Sequence, residues 1–123
     1  MGNPHPYKVS CQGILAQVYD KTLEANIDVE LLQEILHYYH RRSRLEFGLD
    51  LFDRLTALFP DPYPVTLGHA AAMREVLARH PSLQVRDALH AAVVMEAGLE
   101  GIISADRGFD AIPEIERFDP AEL

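Results

Sequence analysis

The sequence predicts an α/β domain with a parallel sheet, on three observations. Segments with the hydrophobic spacing of helices alternate with short apolar, β-branched runs, as in chains that lay helices on a parallel sheet. Residues 88–95 are apolar at every position but His90, which suits a helix enclosed on several sides better than one at the surface. A length of 123 residues, 48% hydrophobic and 24% charged, fits one globular domain, since two cores would each be too small.

Each element follows in order. Val9, Ile14, Leu15 and Val18 share one face of a helix over residues 7–19. Asp28 can cap a second helix, running to about Arg44, whose stripe is Leu32, Ile35, Leu36 and Tyr39. Leu49, Phe52, Leu55 and Phe59 make a third, ended by Pro60 and Pro62. Residues 63–67, with Val65 and Thr66, read as a strand entering a helix over 68–79. The next helix follows Pro81, with Ser82 as its cap, and stops at Gly98, a residue suited to a left-handed helix end. Residues 101–105 and 115–119 are the remaining strands.

Composition limits the function. A net charge of −8 argues against a protein that grips nucleic acid by charge alone, because that mode needs a basic surface. A carboxylate metal site stays compatible, because its cations bring their own positive charge. The apolar run at 88–95 is far shorter than the ~20 residues of a membrane span. The opening MGNPHP lacks the features of a secretory signal, and Cys11 has no partner for an internal disulfide, so the expected location is the cytoplasm.

Three carboxylates stand out. Asp87 falls in the first turn of its helix, where the dipole and open N–H groups favour an anion; a plain helix-start aspartate beside a solvent-facing Arg86 reads the same way. Asp106 lies just beyond the strand at 101–105, the end of a parallel sheet where ligands bind, although Ala-Asp-Arg-Gly is also ordinary turn chemistry. The short link from Gly98 to Gly101 requires helix and strand to be antiparallel neighbours, which would bring Asp87 and Asp106 to one edge. Glu34 borders the apolar stripe of its helix and could equally extend outward. Three such groups suit Mg²⁺ or Mn²⁺, and that chemistry is metal-assisted phosphodiester hydrolysis.

Other patterns compete. Glu34 with His37 and Asp87 with His90 repeat a carboxylate three residues before a histidine, the spacing of di-iron bundles, but those use glutamates on four long helices. His37 and His40 read as structural or solvent-facing, and Tyr38 and Tyr39 between them suggest an interface. Arg41, Arg42 and Arg44 complement the end of a helix dipole, or else guide phosphates. No Gly-rich nucleotide loop or activated nucleophile is present.

RDALHAA at 86–92, GIISADRGFD at 101–110, Ile112-Pro and RFDP at 117–120 closely resemble the C-terminal half of PIN-domain proteins, especially VapC-like toxins. LQEILH at 32–37 resembles the helix that gives this family a glutamate. The resemblance spans residues 4–120. It implies a three-layer α/β/α fold with a central parallel sheet, an acidic Mg²⁺ or Mn²⁺ site, and endonucleolytic cleavage of RNA. On these positions Glu34, Asp87 and Asp106 match the site carboxylates. Asp110 is a further metal candidate placed one residue after Phe109, because the family often has an acid where Gly108 stands. Family members commonly form homodimers and are inhibited by an antitoxin protein.

The beginning departs from the family, whose members open on an apolar strand that ends in an aspartate. This chain opens at MGNPHPYK and has no acid before Asp20. The expectation is one PIN-like domain over residues 1–123, incomplete at its first strand and short of one site aspartate. Loss of that strand would expose sheet edges that another copy could pair with. The rival to a metal-dependent ribonuclease is a catalytically impaired PIN-like module that acts by dimerising or binding an antitoxin.

Overall fold

The structure, a computed structural model, describes residues 24–123. The expected helix over 7–19, the first strand and its aspartate concern residues outside those described. Two compact units divide the rest, one of residues 25–66 and one containing residues 67–123.

In the first unit, helix α1 (Val29–Arg41) and helix α2 (Leu45–Leu58) pack together. Asp28 caps α1 as expected, its carboxylate accepting from the Leu31 N–H at 2.9 Å. The sequence reading ran α1 on to Arg44, but the chain reverses at Ser43, which adopts φ 56°. No Gly or Pro marks that turn. The strand expected at 63–67 shrinks to a single parallel bridge between Asp28 and Tyr63. Tyr63 donates to Ile27 and accepts from Val29, both at 2.9 Å. Pro62 and Pro64 flank it, and prolines cannot donate to a ladder.

The second unit contains helices α3 (Leu67–Arg79) and α4 (Val85–Glu96), strand β1 (Gly101–Ile103), a 3-10 turn (Arg107–Ala111), strand β2 (Glu116–Phe118) and a final 3-10 turn (Pro120–Glu122). The helix expected from Pro81 begins later, at Val85, with Gln84 as its N-cap residue. Ser82 is not the cap: Leu83 donates to His80 at 3.1 Å and closes a turn before the helix. Gly98, just past the end of α4, adopts φ 67°, the left-handed helix stop expected of it.

β1 and β2 are parallel, with Gly101 opposite Glu116 and Ile103 opposite Phe118. The core joins Val76 of α3 and Ala88, Ala91 and Val94 of α4 to Phe109, Ile112 and Ile115. Alanines at 88 and 91 let α3 come close, since α4 offers it little side-chain bulk. Ala92 and Val93 are buried as well, so α4 is enclosed beyond its core face, as its sequence requires.

At Gly101 the partner strand leaves no room for a side chain: an added Cβ would overlap the Glu116 carbonyl. Gly101→Ala should therefore cost about 1–3 kcal/mol, the usual cost of overpacking. A lower urea midpoint at unchanged m would show it, and an unchanged midpoint would contradict this register.

Candidate active site

Asp87 is the third residue of α4 and is buried, with 8% of its surface exposed. Asp106 follows β1 and caps the 3-10 turn. Their carboxyl groups lie close enough for each to feel the other, so the start of the helix and the end of the strand meet at one edge, as the short link between them requires. Burial, the neighbouring Asp106 carboxyl and its charge raise the Asp87 pKa from 3.8 to about 6, against smaller opposing effects of Arg86 and His90.

Asp106 is oriented from two sides. Its carboxylate accepts from the Gly108 N–H at 2.8 Å, and its own N–H donates to Ser104 Oγ at 3.0 Å. Gly108 permits this closeness, because a Cβ there would stand 3.1 Å from Asp106 Oδ1. Past Ser104, whose N–H still donates to the Phe118 carbonyl at 3.1 Å, the short polar groups of Ser104 and Asp106 take the place of regular backbone pairing.

Asp110 is engaged differently. Arg117 Nε donates to its Oδ1 at 2.9 Å, and Arg117 Nη1 donates to the Ser104 carbonyl at 3.1 Å. Nη1 also lies 3.6 Å from Asp119. The Arg117 side chain is only 11% exposed, so it braces the segment carrying Ser104 and Asp106. Sequence reasoning gave Arg117 no role. The signal was a lone arginine among Asp110, Glu116 and Asp119, but the pairing depends on the β2 register.

Glu34 lies half-buried on α1 in the other unit, where Leu32 supplies the buried apolar contact of the helix. Among the described residues, no three His, Cys, Asp or Glu side chains gather into a metal-binding group. No described helix is long and apolar enough to cross a membrane.

The chain is similar to known proteins along most of its length. The PIN domain family matches residues 5–115. VapC ribonuclease Mb1869c of Mycobacterium bovis and ribonuclease VapC13 of Mycobacterium tuberculosis are each 33% identical to it over 117 residues, covering 95% of this chain and 89% of theirs. Ribonuclease VapC7 of Mycobacterium tuberculosis is 24% identical over 123 residues, covering 97% of this chain and 83% of its own. No solved structure matches significantly. On the family match and these relatives, the chain belongs to the PIN-domain family, an α/β fold.

Proposed function

We propose that this single PIN domain is a metal-dependent endoribonuclease of the VapC toxin type, hydrolysing RNA phosphodiester bonds with Glu34, Asp87 and Asp106 as its site carboxylates. The observation that carries the reading is the buried Asp87 carboxyl beside that of Asp106. Two adjacent carboxyl groups repel each other when both ionise, and a positive charge between them offsets that cost. Their hard oxygens fit Mg²⁺ or Mn²⁺. Asp87 and Asp106 would hold the cation, and Asp110 could join them by giving up its bond to Arg117; Glu34 is assigned as a site carboxylate on the family resemblance.

Bound there, the cation would supply positive charge for activating water and for stabilising the leaving oxygen. Asp87 would meet the cation as an anion, which its place in the first turn of α4 favours. Asp106 keeps its direction through Gly108 and Ser104, with Arg117 bracing that segment. Relatives named as VapC ribonucleases support RNA as the substrate. The resemblance to PIN-domain toxins supports a protein antitoxin as partner, a homodimer as the assembly and the cytoplasm as the place of action.

Cleavage of a labelled RNA by the purified chain should need Mg²⁺ or Mn²⁺ and stop in EDTA. Asp87→Asn, Asp106→Asn and Glu34→Gln should each lower it by more than the roughly 10–100-fold that loss of an outer-shell partner costs. Equal cleavage by wild type and Asp87→Asn would refute the assignment.

The proton on Asp87 gives a second expectation. The folded carboxyl, with a pKa of about 6, keeps a proton that the unfolded one, at 3.8, has released. Folding therefore takes up a proton between these values, and stability in EDTA should fall as pH rises through them, by up to about 3 kcal/mol. Asp87→Asn should lack that share of the slope and melt higher than wild type above pH 7. Mg²⁺ or Mn²⁺ should raise the wild-type melting temperature there and leave the variant's unchanged; parallel melting curves for both proteins across pH would count against a raised pKa.

A further inference from the structure

The turn joining α1 to α2 carries a feature that the carboxylate site does not use. Residues 37–49 hold Arg41, Arg42 and Arg44 with only Glu46 as an acid, in a chain of net charge −8. The same stretch exposes aromatic surface, with Tyr38 at 49% and Phe47 at 48%.

These side chains form a ladder. The Arg42 guanidinium lies 3.5 Å from the Tyr38 ring centre, and Tyr38 meets Tyr39 edge-on at 4.9 Å. Tyr39 tilts against Phe47 at 4.8 Å, and Arg44 stands 5.2 Å from the Phe47 ring centre. Gly48 lets Tyr39 lie close to α2, since a Cβ there would stand 2.9 Å from Tyr39 Cβ. Arg42 also donates to the Tyr38 carbonyl at 3.1 Å, which fixes its guanidinium. The left-handed Ser43 turns the chain between the two arginines, beside an open depression lined in part by His40, Arg44 and Phe47.

We infer that this turn is a stacking platform for single-stranded RNA, a contact separate from the carboxylates; the choice of RNA rests on the ribonuclease reading. Half-exposed rings accept the faces of unpaired bases whatever their sequence, guanidinium planes extend the stack, and the arginine charges meet phosphates. A duplex keeps its base faces covered. A protein partner laid over the rings would have to strip water from Arg42 and Arg44, which is costly without matched acids. The charge of the turn is complementary to a polyanion and opposite to that of the chain as a whole.

The test is fluorescence anisotropy of a labelled single-stranded RNA of about 12 nucleotides with the full chain in EDTA, the RNA being checked on a gel for integrity. Tyr38→Leu and Phe47→Leu should each weaken binding about fivefold or more, while Tyr38→Phe binds like wild type. Arg42→Gln should weaken binding and flatten its dependence on salt, a readout that stands even if a ring variant misfolds. Duplex RNA of the same sequence should compete poorly. Wild-type affinity in both leucine variants, or equal competition by duplex, would overturn the platform. So would leucine variants that lose self-association in sedimentation yet bind RNA unchanged, which would make the surface a protein interface. Ring-dependent binding by a chain that cleaves no RNA with Mg²⁺ or Mn²⁺ would uphold the platform and reject the ribonuclease reading.

Discussion

The approach of the Asp87 carboxyl to that of Asp106 is the contact on which the second unit turns. It can form only if the first turn of α4 and the end of β1 reach the same edge. A left-handed Gly98 and a short link make helix and strand antiparallel neighbours. Ala88 and Ala91 keep α4 slim enough to pack on α3 while its neighbours are drawn in. The burial that builds this core also removes water from Asp87, and that loss of water is the largest cause of its raised pKa. Stability and reactivity thus come from the same few residues, and a buried Asp87 carboxyl beside a second, exposed one is retained at a cost to the unliganded fold.

The segment beyond β1 shows how few groups orient a carboxylate. Only three residues of β1 pair with β2, so Asp106 depends on side chains for its position. Ser104 receives its N–H, Gly108 donates to its oxygen, and Arg117 reaches across from β2 to the Ser104 carbonyl. Exposed ion pairs usually contribute little. Arg117 differs because it is mostly buried and joins Asp110 and Asp119 to the backbone at once. Its planar fork makes these contacts together, which a lysine could not.

Much of this was legible in the sequence. Asp28 as a cap, Gly98 as a stop, the enclosed 88–95 helix and the meeting of Asp87 with Asp106 follow from local chemistry and a short connection. The errors have physical reasons. Val65 and Thr66 favour a strand at 63–67, but Pro62 and Pro64 limit pairing to Tyr63. Ser82 is a good cap residue in a turn that ends before the helix begins. The break at Ser43 was missed because its left-handed backbone carries no glycine. Arg117 was illegible because its partners lie seven residues before it and two after, and only the folded register brings them together.

A chain of net charge −8 presents a repulsive field to any polyanion, so its contacts with RNA must act at short range. At physiological salt the Debye length is about 8 Å, which confines the repulsion to the near surface. Cations at a carboxylate site would reverse the sign there. Stacking on Tyr38 and Phe47 scarcely depends on net charge, and the arginines at either end of the ladder act over a few ångströms. Association would then be unsteered and slow for its class, with affinity set by how long the bases stay stacked. Selectivity for unpaired RNA would follow from the same constraint, because only unpaired bases offer their faces to the rings.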